Sequence, residues 1–291
     1  MASSHGGTQS WKEERMEPVT DSSSLAWCND LLPILEGAER PDHLTLGRML
    51  MARLECPQAF VTLVGETSTG KTTLINSLLG MELLPVSAKP TTATVTHVSV
   101  RDTAEPRYLA INTDGTMEEL SQEQFSSFSL SPDADLLRLC VETRCSDPLL
   151  RGLNVFDTPG FNAVVADHEE VLFQFLPESD VVVFVCGYKT GFGQVDQDLL
   201  EIVRRSTAHD PSLPFVLVVN RTGATVTCND KRVTEIMRNA SDCLHLSPEL
   251  VLVQSAPLAP DGSRSGQPDA RELWSSIARH VEAPARVRAV E

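Results

Sequence analysis

The chain has 291 residues, 41% of them hydrophobic, which is enough for one large core but not for two full-sized domains with linkers. Its 24 Lys and Arg residues against 40 Asp and Glu residues give a formal net charge of −16. Because no basic cluster interrupts this acidic background, the composition disfavours direct binding to nucleic acid or to an anionic membrane surface.

The cysteines and the apolar runs bear on compartment and membrane insertion. The seven cysteines are scattered, and several lie in apolar runs, which is typical of buried reduced thiols. No run approaches the ~18 apolar residues of a membrane span, and the start of the chain lacks the apolar core of a signal peptide. We therefore predict a soluble cytoplasmic protein whose membrane contact, if it has one, is peripheral and needs a partner.

The first 57 residues precede the main predicted domain. Residues 1–23 are polar and Ser-rich, which predicts a disordered leader. In residues 24–57, Ser24 can cap one amphipathic helix and Asp42 a second, which ends before Pro57. Apolar helix faces of this kind most often pack against a main domain; a membrane-binding or partner-binding role is the alternative.

A phosphate-binding motif follows the first predicted strand. Residues 65–73, GETSTGKTT, fit Gly-x-x-x-x-Gly-Lys-[Ser/Thr] between the apolar run 59–64 and a helix that continues to residue 79. In such a loop the backbone N–H groups face the phosphates, Lys71 reaches the β- and γ-phosphates, and the Thr72 hydroxyl ligates Mg²⁺. An accidental match in a Gly- and Thr-rich turn is the alternative. We predict nucleotide contacts from Gly65, Glu66, Thr67, Ser68, Thr69, Gly70, Lys71, Thr72 and Thr73.

Strand and helix patterns alternate through the rest of the chain. Strands are predicted near residues 94–101, 107–112, 136–141, 153–156, 181–185, 215–219 and 250–253, and helices near 196–205, 231–243 and 269–281, with an acidic, Phe-bearing segment left unassigned before residue 136. This pattern predicts an α/β fold: a three-layer P-loop NTPase fold over residues 58–285, with a mostly parallel central sheet flanked by helices, N-terminal helices and a short tail, 286–291. Nucleotide is expected at the carboxyl ends of the strands, where Ser255 and Ala256 can offer a backbone N–H to a base.

Two further segments are suited to a metal and phosphate site. At the end of the strand near 153–156, the Asp157 carboxylate can hold a water on Mg²⁺ and the Gly160 N–H can donate to the γ-phosphate, although Asp-x-Pro-Gly alone is an ordinary turn sequence. Thr92 can close on Mg²⁺ and the γ-phosphate in a nucleotide-dependent manner; a Thr-rich edge strand is the alternative. The predicted metal ligands are Thr72, Thr92 and Asp157.

The order of these motifs resembles the GTPase superfamily, and more closely the dynamin-like GTPases, particularly those of bacteria. The resemblance is carried by GETSTGKTT at 65–73, LLPVSAKPTT at 83–92, and PLLRG at 148–152 running into DTPGFN at 157–162. It implies Mg²⁺-dependent GTP hydrolysis, with Lys71, Thr92 and Ser68 as catalytic candidates, and a G domain that usually works on membranes. It also implies a nucleotide-dependent G-domain homodimer. Because the segments flanking the domain are too short for a long helical stalk, we expect a partner protein to supply the stalk or the membrane contact.

The base-reading segment departs from the family pattern. Where relatives carry Asn/Thr-Lys-x-Asp, this chain has Asn220-Arg221-Thr222-Gly223, so the carboxylate that pairs with the guanine edge is missing. Asn220 can still tie this segment to the phosphate loop, and Arg221 can lie over a base. Asp230 is a distant substitute for the missing carboxylate. We therefore predict that GTP is preferred over ATP less strongly than in relatives with the full motif.

The water-positioning residues also depart from the pattern. Thr67 stands where dynamins often carry a Gln or another polar group, and Phe161 stands where Ras-like enzymes keep a Gln. Ser68 is the nearest candidate to act through its hydroxyl or backbone, whereas His168 lies too far past Gly160. The leading interpretation is a GTPase acting as a switch or as a membrane-associated mechanochemical G domain without its own stalk. The alternative is a nucleotide-binding interaction module with little or no turnover, and a P-loop kinase ranks well behind because no acceptor-site base is recognisable.

Overall fold

The computed structural model describes residues 30, 33–34, 59–86, 94–131, 135–145, 150, 152–161, 172, 175–255 and 268–282. The chain separates into two units, Met1–Pro57 and Gln58–Glu291. In the first unit only Asp30, Pro33 and Ile34 are described, so the predicted leader and most of the two predicted helices lie outside the described residues.

In the residues that the structure describes, the second unit is built around one mixed sheet. In chain order its strands in the described residues are β1 Ala59–Val64, β2 Thr96–Val100, β3 Arg107–Asn112, β4 Met117–Leu120, β5 Leu136–Thr143, β6 Leu153–Asp157, β7 Val181–Gly187, β8 Phe215–Thr222 and β9 Glu249–Gln254. Their spatial order is β4-β3-β5-β2-β6-β1-β7-β8-β9. The strand that leads into the phosphate loop therefore lies inside the sheet, between β6 and β7.

The sheet is mostly parallel, as predicted. The strands β6, β1, β7, β8 and β9 run parallel to one another, so their carboxyl ends meet at one edge. The other side is mixed: β2 is antiparallel to β6 but parallel to β5, and β3 is antiparallel to both β5 and β4. The residues that follow β1, β6, β8 and β9 are thereby brought to the same edge.

Helices cover both faces of the sheet and complete the three-layer α/β fold. Among the described residues of this unit they are α1 Lys71–Leu79, α2 Gln122–Leu130, α3 Gln194–Ser206, α4 Lys231–Leu244 and α5 Arg271–Glu282, with a short 3₁₀ turn at Leu176–Glu178. One core packs the strand residues Val61 and Leu63 with residues of α1, α2 and α5. A second core, on the other face, packs Phe184 and Leu217 with α3 and α4. Val181 to Val185 are fully or almost fully buried, which explains why β7 reads as a continuous apolar run.

The acidic, Phe-bearing segment before residue 136, for which no element was predicted, contains β4 and α2. Ser121 caps α2: the Gln124 N–H donates to Ser121 Oγ at 3.2 Å, and the Ser121 N–H donates to Gln124 Oε1 at 2.8 Å. This reciprocal capping box has a recognisable sequence signal, Ser-x-x-Gln before a Phe-bearing stretch. The downstream elements that were predicted all occur, with ends within three residues of those expected.

Candidate functional site

The loop between β1 and α1 has the geometry of a phosphate cradle. Gly70 occupies the N-cap position of α1 in the left-handed region, with φ 98°, and no side chain caps the helix. A Cβ at Gly70 would lie 2.6 Å from Asn220 Nδ2, so this position requires glycine for space as well as for backbone conformation. The first N–H groups of α1 lack intrahelical partners, and with the helix dipole they make this end of the helix favourable for an anion.

Lys71 is the buried cation of the cradle. Its side chain is only 6% exposed, and Nζ donates to the carbonyl oxygens of Gly65 at 2.9 Å and Glu66 at 3.2 Å. Burial lowers the pKa of Lys71 to about 8, while the charges of Asp157 and Glu66 partly oppose that shift. A desolvated ammonium held at the mouth of the loop is well suited to pairing with phosphate oxygens.

Thr72 and Asp157 meet across the loop. Thr72 Oγ1 donates to Asp157 Oδ2 at 2.6 Å, whereas Asp157 Oδ1 is buried without a hydrogen-bond partner among the described residues. Burial raises the pKa of Asp157 to about 6, and Lys71 and the Thr72 hydrogen bond act against that shift. A hydroxyl beside a carboxylate with a spare oxygen is a donor set that fits Mg²⁺. The described residues contain no cluster of three or more His, Cys, Asp or Glu side chains that would form a separate metal site.

The segment after β6 lies directly against the phosphate loop. The Phe161 N–H donates to the Gly65 carbonyl at 3.1 Å, and the Thr67 N–H donates to the Phe161 carbonyl at 3.2 Å. Thr67 Oγ1 donates to the Gly160 carbonyl at 3.1 Å. The Phe161 side chain packs against the core under α3 and α4, so it is not directed at phosphate. These contacts could not be predicted from the sequence, because they depend on how two distant loops align.

The segment that was predicted to contact the base contains Asn220 and Arg221. Asn220 is 3% exposed, and its Nδ2 donates to the Thr69 carbonyl at 2.7 Å, which is the tie to the phosphate loop that was expected. Arg221 is an exposed bulge residue with φ 60°. Its guanidinium lies beside Gly70, since a Cβ placed there would be 3.7 Å from Arg221 Nη2. Gly223 is exposed and contributes no side chain.

The other predicted base contacts are placed differently. The Ser255 N–H already donates to the Thr222 carbonyl at 3.0 Å, so it has no hydrogen free for a base. Asp230 caps α4, and its Oδ1 accepts from the Arg232 N–H at 2.8 Å and from Tyr188 Oη at 3.3 Å, so this oxygen is already engaged. Thr92 and Ala256 lie outside the described residues. Ser68 is exposed in the middle of the phosphate loop, with φ 64°, and Thr73 lies in the first turn of α1.

The fold and the site together define a P-loop nucleotide-binding domain. The model of the dynamin family matches residues 61–222, which run from β1 to the end of β8. The chain belongs to the dynamin family, and its second unit contains a dynamin-like GTPase domain. None of the described helices has both the length and the apolar character needed to cross a membrane.

Relatives and solved structures cover the same domain. The chain is 29% identical over 135 residues to a probable transmembrane GTPase of Arabidopsis thaliana, FZO-like and chloroplastic, covering 46% of this chain and 12% of that protein. It is 33% identical over 155 residues to isoniazid-induced protein IniA of Mycobacterium tuberculosis, covering 50% of this chain and 24% of that protein. A chain of an oligomerised bacterial dynamin pair has the same fold, with a TM-score of 0.56 and 16% identity over 84% of this chain and 37% of that chain. The chain thus spans well under half of the length of the curated relatives it matches.

Proposed function

We propose that this chain binds GTP with Mg²⁺ and hydrolyses it to GDP, as a phosphoanhydride hydrolase of the dynamin-like class. The observation that carries the proposal is the convergence of Lys71, Thr72 and Asp157 on an uncapped helix N-terminus at the carboxyl edge of the sheet. Each supplies one part of a phosphate and metal site: a cation, a hydroxyl and a carboxylate. The same domain acts as a nucleotide switch or as the G domain of a membrane-associated assembly.

Different residues of this chain bind the phosphates, the metal and the base. The N–H groups at the start of α1 and the Lys71 ammonium bind the phosphates, while Thr72 and Asp157, with Thr92 as a further candidate, hold Mg²⁺. When bound, Mg²⁺ supplies positive charge to the phosphate oxygens. Gly160, which lies against Thr67 of the loop, is the candidate to donate its N–H to the γ-phosphate, and Arg221 is the candidate to lie over the base. The Asn220 side chain links the end of β8 to the phosphate loop through its hydrogen bond to the Thr69 carbonyl.

Hydrolysis is slow in the isolated subunit under this proposal. Phosphoryl transfer needs a placed water and positive charge on the developing γ-oxygens, and charge supplied in trans is worth about 10³ to 10⁵ in rate. Here Phe161 packs into the core, and the Thr67 side chain is too short to replace a longer polar side chain in orienting water. Pairing of two G domains across the nucleotide face, or a partner protein, supplies the missing positive charge and the group that places the water.

The alternative function is a nucleotide-binding interaction module with little or no turnover, and the placement of Phe161 and Thr67 favours it over rapid catalysis. Under either alternative we place the protein in the cytoplasm, with peripheral membrane contact through a partner that supplies a stalk or an anchor. The relatives support a membrane setting: one is a probable transmembrane GTPase, and the bacterial dynamin pair is described as sensing and tethering membranes.

The test measures binding and phosphate release with GTP and ATP side by side, with Mg²⁺ and with a chelator, across a dilution series of the full chain. We expect binding of both nucleotides, release that requires Mg²⁺, and a specific activity that rises with protein concentration. The transition-state mimic should favour a dimer in sedimentation. Fast turnover that stays flat across the dilution series, with no dimer in the mimic-bound state, would rule out activation by pairing. Binding without release at any concentration would establish the interaction module instead.

A further inference from the structure

Thr67 joins the phosphate loop to the segment that follows Asp157 by more than backbone contact. Its hydroxyl donates to the Gly160 carbonyl at 3.1 Å, with a second, longer approach of 3.5 Å to the Phe161 carbonyl. The flanking backbone bonds, from Phe161 N–H to Gly65 and from Thr67 N–H to Phe161, align the two loops as an isolated parallel bridge. We call this set of contacts between Thr67 and Gly160-Phe161 the clasp.

The clasp brings the two loops into direct contact. A Cβ placed on Gly160 would lie 2.5 Å from Thr67 Cα and 2.6 Å from Thr67 Oγ1, so no atom larger than hydrogen fits between them on that side. The clasp also occupies the Thr67 N–H, which is one of the loop amides that would otherwise face a phosphate. Lys71 is likewise bonded to carbonyl oxygens of its own loop. The clasp contacts involve none of the first residues of α1, where the proposed function places the diphosphate.

We propose that Thr67 sets the preference of this site between diphosphate and triphosphate, because its hydroxyl holds Gly160 in a position that has to move before the γ-phosphate can take its place. The inference rests on the proposed function, since it concerns the γ-phosphate of the same nucleotide. The phosphate that displaces the clasp takes the Gly160 N–H and the Thr67 N–H as its own donors. Thr67 is a specificity-determining residue in this scheme, because a triphosphate has to break the clasp contacts before it can bind, whereas a diphosphate does not.

The hydroxyl can be separated from the backbone part of the clasp by substitution. Thr67→Val keeps the β-branched shape and the backbone N–H but removes the hydroxyl donor, whereas Thr67→Ser keeps the donor. Loss of one neutral hydrogen bond should raise the affinity for a non-hydrolysable triphosphate, relative to that for GDP, by about 2- to 10-fold. Thr69→Val is the matched loop variant: the Thr69 hydroxyl bonds to Glu66 within the loop at 2.9 Å, so its loss should change both affinities together.

The experiment measures the dissociation constants of GDP and of the non-hydrolysable GTP analogue for the full wild-type chain and the three variants, with circular dichroism to confirm folding. A raised triphosphate-to-diphosphate affinity ratio in Thr67→Val, with the wild-type ratio retained in Thr67→Ser, supports the clasp. A ratio in Thr67→Val that is unchanged or lower overturns it.

A second measurement tests the clasp without nucleotide. Amide hydrogen exchange in peptides containing Phe161 should be faster in Thr67→Val than in the wild type, because the Phe161 N–H loses a neighbouring restraint. Unchanged exchange overturns the clasp, even if the ratio of affinities shifts. Failure of the wild-type chain to bind either nucleotide would overturn the proposed function alone, and the exchange result would still decide whether the clasp exists.

Discussion

The phosphate end and the base end of the site are built differently. At the phosphate end the working groups are buried: Lys71 is 6% exposed and Asp157 1%, and both are held by short hydrogen bonds. At the base end, Asn220 is buried but Arg221 and Gly223 are exposed on a bulged strand end. Under the proposed function, phosphate recognition therefore depends on backbone geometry that the core supports. Base recognition then depends mostly on exposed side chains at the end of the strand.

The largest effect should come from removing the cation of the buried end. We expect Lys71→Ala to lower the affinity for GTP and for ATP by about 10² to 10⁴, because two charge-assisted hydrogen bonds to phosphate are lost. Calorimetry on the folded variant measures this. Lys189→Ala, which removes an exposed lysine after β7, is the matched control and should bind like the wild type. Unchanged affinity of a folded Lys71→Ala variant for both nucleotides would show that residues 65–73 do not form the phosphate site.

A medium effect should come from restoring a carboxylate at the exposed end. A Cβ placed on Gly223 would have only Val226 Cγ2 within 4 Å, at 3.9 Å, so there is room for a side chain to begin at this position. We expect Gly223→Asp to raise the preference for GTP over ATP by about 10- to 100-fold, since a charge-assisted bond to the guanine edge is worth about 1.5 to 3 kcal/mol. Competition titrations compare it with Gly223→Ala, which adds bulk without charge. A wild-type preference of many thousandfold would instead mean that another carboxylate already reads guanine.

The smallest effect on nucleotide binding should come from neutralising a buried carboxylate that belongs to neither the phosphate end nor the base end of the site. Asp196, in the first turn of α3, is 2% exposed; its Oδ2 accepts from the Gly193 N–H at 2.9 Å, and its Oδ1 has no hydrogen-bond partner among the described residues. Burial raises the pKa of Asp196 to about 6; the Gly193 bond opposes this and the charge of Glu66 adds to it. Asp196→Asn should bind nucleotide like the wild type and be more stable at pH 7 by about 1 to 2 kcal/mol.

The sign of the pH dependence follows from the raised pKa of Asp196. The folded protein holds the Asp196 proton more tightly than the unfolded chain, so the contribution of Asp196 to stability falls as pH rises from about 4 to about 6, and the asparagine variant lacks that contribution. The difference in the free energy of unfolding should therefore grow across that window in urea titrations. Asp198→Asn, on the same helix, is the control, because its carboxylate accepts from the exposed Gln194 side chain at 2.8 Å. An Asp196→Asn advantage that is the same at pH 4 and pH 7 would contradict this account.

The sequence predicts best what local chemistry determines. The apolar run before Gly65, the loop and the helix after it specify β1 and α1, and the tie from Asn220 to the phosphate loop was expected from the motif. The left-handed backbone of Arg221 was not foreseeable, because arginine does not mark positive φ as glycine does.

The contact between Thr67 and Gly160 could not be predicted from the local sequence for a different reason. It joins residues 93 positions apart, and it depends on a one-residue shift between the pairing of β1 with β6 and the later bridge from Glu66 to Phe161. The residue types at Thr67 and Gly160 do not indicate that the pairing shifts by one residue. Helix α2, by contrast, was predictable, because the Ser-x-x-Gln pattern of Ser121 and Gln124 is a sequence signal for the start of a helix.

The position of β1 within the sheet also determines when the phosphate loop can mature during synthesis. The strands β2 to β5 come from one stretch of chain and lie side by side, whereas β1 pairs with β6 and β7, which begin roughly 90 and 120 residues after it. Closing loops of that length is entropically costly and is repaid only when both neighbours are present. The loop thus leaves the ribosome early but acquires its flanking strands late. A nascent chain that stops before β7 contains the complete motif without the architecture that supports it.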